Sequence, residues 1–127
     1  MKGAYIVKKE AHPLEVTIVA TGSEVSLAFD VATSLEQKGK GVRVVSMPCM
    51  ELFRKQKLEY QESVIPSKKH LKVSIEAGVT HGFQEWIGTD GIAIGIDQFG
   101  LSAPMKAIQK EFGFTVESIV SKIESKR

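Results

Sequence analysis

The sequence predicts an α/β domain with a parallel core sheet and helices on both of its faces. Two observations carry that reading. Short β-branched runs alternate along the chain with stretches whose apolar residues recur at helical spacing, the order that yields parallel strands joined by crossovers. The 127 residues, 43% hydrophobic and 25% charged, also suit one globular domain and leave no room for a second. A chain of this size buries about two-thirds of its unfolded surface, enough to fold without staples.

The elements follow in order. Residues 5–7, Tyr-Ile-Val, offer an edge strand at the start, inside an opening segment of residues 1–13. Residues 16–20, Val-Thr-Ile-Val-Ala, are short, apolar and β-branched, as a strand covered on both faces should be. From Glu24 the apolar residues Val25, Ala28, Phe29, Ala32 and Leu35 recur at helical spacing. Gly39 and Gly41 end that helix. Residues 42–46 form the next strand, and Pro48 stops it. Leu52-Phe53 and Leu58 to Tyr60 mark two short helical turns, closed by Pro66. Residues 71–76 and 92–94 read as two further strands, with a short helix between them in 77–86. Two helices finish the chain: residues 104–111, with Pro104 in the first turn, and 115–126, where Val116, Ile119, Val120 and Ile123 make an apolar stripe.

Bulk properties exclude several classes of function. The net charge is +2, and the basic residues fall at element ends without interleaved aromatics, so nucleic acid is not an expected partner. No apolar stretch approaches the ~20 residues of a membrane span, and no signal peptide opens the chain. The single cysteine, Cys49, excludes an internal disulfide and fits a reducing compartment. The expected setting is cytoplasmic.

The candidate chemistry begins at the strand-to-helix corner Thr21-Gly22-Ser23-Glu24, a place where α/β proteins hold phosphate. It has neither the G-x-G-x-x-G order of a dinucleotide site nor the Gly-Lys-Ser/Thr of a P-loop. Thr21-x-x-Glu24 has the form of a capping box, and Glu24 would repel an anion where the helix dipole attracts one. Thr21, Gly22 and Ser23 therefore remain a candidate weak anion site, with helix capping as their first role. Cys49 follows a strand, but none of His12, His70 and His81 is placed by sequence to activate it. No metal-ligand spacing exists among these residues. Glu76 ends a strand with a carboxylate, which reads first as an acceptor for the following turn rather than a general base. Spacing alone assigns no catalytic, cofactor-binding or metal-binding residue.

The residues themselves are more specific. "IVATGSEVSLA", "RVVSMPCMELFRKQ", "YQESVIP", "VSIEAG", "FGLSAP" and "EFGFT" occur here in the order seen in the C-terminal domain of transketolases. The resemblance covers residues 3–122. It implies a three-layer α/β domain on a five-stranded, mixed, mostly parallel sheet. It also implies a parent enzyme that moves a two-carbon ketol unit from a ketose phosphate to an aldose phosphate in the pentose phosphate pathway. In that parent, thiamine diphosphate and a divalent metal (Mg or Ca) sit between a diphosphate-binding and a pyrimidine-binding domain, across a homodimer interface. Neither of those domains is expected within residues 1–127. The family's Gly-Asp-Gly…Asn metal motif has no match, since Thr89-Asp90-Gly91 lacks the leading glycine and the chain contains no asparagine.

The resemblance implies a non-catalytic role for this domain: packing on the other domains of the same transketolase and supporting the dimer. Phe83, Trp86 and Phe99 are the candidate inter-domain contacts. Two rival readings are weighed beside it. One is a regulatory module holding a nucleotide or phosphate at the 21–24 corner. The other is a small hydrolase using Cys49 and a histidine.

Overall fold

The computed structural model describes residues 3–21, 24–66, 70–76, 84–87, 91–95 and 116–126. Among them run five strands, β1 (Tyr5–Lys8), β2 (Leu14–Ala20), β3 (Gly41–Ser46), β4 (Leu71–Glu76) and β5 (Ile92–Gly95). The helices are α1 (Glu24–Glu36), α2 (Met50–Arg54), α3 (Leu58–Val64), α4 (Gln84–Ile87) and α5 (Val116–Lys126). The expected helix at 104–111 lies outside the described residues, as does most of the expected helical stretch 77–86.

The strands form one sheet in the order β1-β3-β2-β4-β5. β2 pairs in parallel with both β3 and β4, and β5 continues in parallel from β4. β1 alone is antiparallel, added to the outer edge of β3 with a bulge between Ile6 and Lys8. The sheet is therefore mixed and mostly parallel, as the family resemblance implies.

Side-chain alternation along β2 separates two cores. Val16, Ile18 and Ala20 face α1 and α5, and with Val44, Val73 and Ile75 from the flanking strands they form the larger apolar cluster. Val19 faces the opposite way, into a second cluster with Val45, Met47, Phe53 of α2 and Val64 of α3. Both faces of the central strands are dry, which is why their sequences read as unbroken apolar runs. Each fully buried Val or Ile in them contributes about 1.5–3 kcal/mol relative to exposure. The result is three layers: α1 and α5, the sheet, then α2 and α3.

β2 begins two residues earlier than its β-branched run, at Leu14 and Glu15, because that end pairs with β3 at Gly41. α1 ends on Gly39, whose φ of +86° only glycine adopts without strain. The Gly39 N–H donates to the Glu36 carbonyl at 2.9 Å and the Lys40 N–H to the Leu35 carbonyl at 3.3 Å, satisfying the last turn.

Candidate functional site

Strand order defines where a ligand would sit. From β2 the chain passes through α1 to β3 on one side, and from β3 it returns to β4 on the other. The carboxyl ends of β2 and β4 thus flank the topological switch point, where open α/β sheets take their ligands. Ala20 pairs there with Ile75, and Thr21 follows Ala20 out of the sheet. The Thr21 carbonyl accepts the Glu24 N–H at 3.0 Å, and the Ala20 carbonyl accepts the Met47 N–H at 2.9 Å. These bonds fix the corner through its backbone.

Thr21 is half-buried and Glu24 buried. Glu24 opens α1, so its carboxylate lies in the turn where the helix dipole is most positive and offsets the attraction for an anion. Gly22 and Ser23, the other members of the candidate anion site, lie outside the described residues. β4 closes at Glu76, and the turn that follows it also lies outside them.

Cys49 immediately precedes α2, with its backbone extended and no side-chain capping bond. It is half-buried, its N–H donates to the Gly3 carbonyl at 3.1 Å, and its own carbonyl accepts the Phe53 N–H at 3.2 Å. His70 stands at the other end of the sheet, just ahead of β4. Its Nε2 lies 2.8 Å from the hydroxyl of buried Thr17. His12 is exposed in the segment before β2, and His81 lies outside the described residues. Neither described histidine is brought to Cys49, so the described residues build no nucleophile–base pair. Among the described residues no three of His, Cys, Asp and Glu gather as metal ligands. No described helix is long and apolar enough to cross a membrane.

The charged groups that the fold does bring together are structural, and the spacing argument passes over them. Arg43 stands in the buried strand β3, where its Nε and Nη2 donate to the two carboxylate oxygens of Glu10, each at 2.9 Å. Its Nη1 donates to the carbonyls of Ser63 and Val64, each at 3.1 Å. The hydrogen bond from Arg43 holds the Glu10 carboxyl below the usual carboxylate range, against the opposing effect of burial. Glu36 pairs with Lys8 and accepts the N–H groups of Ala11 at 2.8 Å and Val42 at 3.4 Å. Burial pushes that carboxyl up, but the lysine and the two N–H groups outweigh it, and the net displacement is downward. One signal in the sequence pointed to such a pairing: an arginine inside the β-branched run 42–46 must find partners if that strand is covered on both faces.

Three of the described aromatic residues, Phe53, Tyr60 and Trp86, cluster on the α2 and α3 side. Phe53 meets Tyr60 edge-on at 6.0 Å between centroids and Trp86 at 4.8 Å. Trp86 is half-buried, and its Nε1 is sealed from solvent with no hydrogen-bond partner among the described residues. Phe83 and Phe99, its companions among the candidate contacts, lie outside the described residues. Among the described residues the most exposed large apolar side chains are Leu58 at 77% and Tyr5 at 51%.

Residues 3–115 match the family model described as the transketolase-like TK C-terminal domain. The chloroplastic transketolase of Solanum tuberosum is 49% identical over 122 residues, covering 94% of this chain and 16% of the potato protein. Among solved structures, transketolase from Campylobacter jejuni superposes with a TM-score of 0.85 at 36% identity, over 98% of this chain and 18% of that one. Transketolase from Leishmania mexicana gives 0.84 at 42% identity over the same shares. The chain thus spans less than a fifth of the length of these relatives.

Proposed function

Because this chain belongs to the transketolase C-terminal-domain family, we propose that it serves a parent transketolase as a non-catalytic packing domain. The parent reaction in this reading is the transfer of a two-carbon ketol group from a ketose phosphate to an aldose phosphate, a step of the pentose phosphate pathway. Its partners are the diphosphate- and pyrimidine-binding domains of the same enzyme and, through them, a homodimer. The setting is cytoplasmic, although the potato relative is chloroplastic. The observation that supports this most is the pair of coverages: nearly all of this chain aligns with under a fifth of each relative.

The transketolase family implies thiamine diphosphate and a divalent metal in the parent enzyme. The described residues do not fit that group. A hard divalent cation needs several oxygen donors converging on one point. Here Glu10 and Glu36 are spent on Arg43 and Lys8, and Glu124 on Lys38. Glu24 stands where a diphosphate would approach the start of α1. No step of the reaction is therefore assigned to this chain. Its contribution is surface: Trp86, with Phe83 and Phe99, is proposed to face the neighbouring domains, while Thr21, Gly22 and Ser23 bind a stray anion weakly at most.

The test mixes the purified chain with thiamine diphosphate, magnesium and a ketose-phosphate/aldose-phosphate pair. The expected result is no turnover and no cofactor binding. Turnover, or binding tighter than about millimolar (roughly −4 kcal/mol), overturns the non-catalytic assignment.

A further inference from the structure

Residues 9–13 form a strap between β1 and β2 that passes under the end of the sheet where β3 begins. The fit is close, since a Cβ at Gly41 would collide with the carbonyl oxygens of His12 and Pro13. Two carboxylates grip this segment from opposite faces. On the α1 side, Glu36 holds Lys8 and the Ala11 N–H while also accepting the Val42 N–H. On the α3 side, Glu10 of the strap takes both arms of Arg43, which is anchored in turn by the carbonyls of Ser63 and Val64.

We propose that Glu10 and Glu36 form a two-sided latch on residues 5–13, and that neutralising them opens this segment while the parallel core stays folded. Among the described residues little else holds it, and β1 has β3 as its one strand neighbour, with a bulge in the register. Tyr5 and Val7 are exposed, and Ile6 is only partly buried against the second cluster. The segment is bounded by firmer anchors. On one side Ala4 is buried and its carbonyl accepts the Tyr60 hydroxyl at 2.8 Å; on the other Leu14 begins the central strand. Opening between these anchors would unpair the outer edge of β3 at Val44 to Ser46 and leave every parallel pairing intact.

Acid is the natural trigger. Glu10 is faced by Arg43 from β3 and by Lys9 from the strap, while α3 presents the Ser63 and Val64 carbonyls to the same arginine. Glu36 is faced by Lys8 from β1 and by N–H groups from the strap and β3. Every one of these partners favours the ionised form. The latch is therefore closed at neutral pH and loses its hold as pH falls below about 4.3, the unperturbed glutamate value.

Hydrogen exchange of the 127-residue chain, corrected for the intrinsic pH dependence of exchange, tests this. In Glu10→Gln/Glu36→Gln at pH 7, protection at residues 5–11 should drop about tenfold to hundredfold, the loss expected for one or two charge-assisted hydrogen bonds. Protection in β2 and β4 should hold. The unsubstituted chain should approach the same pattern as pH falls below about 4.3 and through the lower folded values of the two carboxyls. Unchanged protection at residues 5–11 in the double variant, or loss only together with β2 and β4, overturns the latch. Should the double variant not fold, Arg43→Lys keeps the charge but not the fork. Faster exchange confined to residues 5–11 in that variant supports the latch, and unchanged exchange there rejects it.

Discussion

Arg43 occupies a strand in which every residue is buried, and a guanidinium is stable there only because its donors find acceptors. Glu10 takes two of them and the end of α3 takes two more, so one side chain ties the strap, β3 and α3 together. Removing Arg43 leaves the part-buried Glu10 carboxylate unmatched. Arg43→Ala should therefore cost about 1.5–3 kcal/mol, read as a lower urea midpoint. Arg43→Met combined with Glu10→Leu should cost distinctly less, because no carboxylate is then stranded. Equal losses in the two variants would show that the pair itself, rather than the uncompensated charge, carries the stability. Thr21 is the smaller case. Its carbonyl already takes the Glu24 N–H, so Thr21→Ala should fall at the low end of the ~0.5–2 kcal/mol usual for a cap. An unmoved midpoint for Thr21→Ala would remove the hydroxyl from the capping role.

At the scale of elements, α1 and α5 show local sequence and tertiary packing agreeing. Ala28, Ala32 and Leu35 of the spacing that identified α1 are buried, together with Val31, while Phe29 of that same spacing is exposed; Ile119 and Ile123 are buried in α5. The Lys38–Glu124 pair that joins their ends is solvent-exposed and worth at most about 1 kcal/mol, so apolar burial holds α5 in place. The end of α1 depends on a backbone state instead. Nothing lies within 4 Å of a Cβ built at Gly39, so any penalty for a side chain there comes from φ alone. Gly39→Ala should cost about 1–2 kcal/mol of stability, and Gly39→Asn should cost less because asparagine tolerates the left-handed region. If alanine and asparagine were equally harmless in thermal melts, the left-handed turn would not be limiting.

Across the whole molecule, what was legible in the sequence is what local periodicity encodes. The unbroken apolar runs of β2 and β3 and the stripe of α5 announce burial directly, and the alternation of strands with helices implies the parallel sheet. At Thr21 the strand-to-helix turn was legible, with the Glu24 N–H on the Thr21 carbonyl, while the side-chain cap is left to the Thr21→Ala measurement. The latch was not. Lys8 and Glu36 are 28 residues apart and Glu10 and Arg43 33 apart, and no spacing rule links charges that meet only after the sheet has formed. Those pairs also set how the chain responds to acid. Both carboxyls titrate lower in the folded chain than in the unfolded one, so protons bind preferentially to the unfolded state. Their contribution is fully present above the unfolded value of about 4.3 and is lost as pH falls through the lower folded values. Between neutrality and about pH 5 these two groups should give the urea midpoint, followed by Trp86 fluorescence, no slope. Below that the midpoint should fall. Glu10→Gln/Glu36→Gln should start from a lower midpoint at pH 7 and lose less on acidification. An acid loss as steep in that variant as in the unsubstituted chain would place the acid sensitivity in other carboxylates.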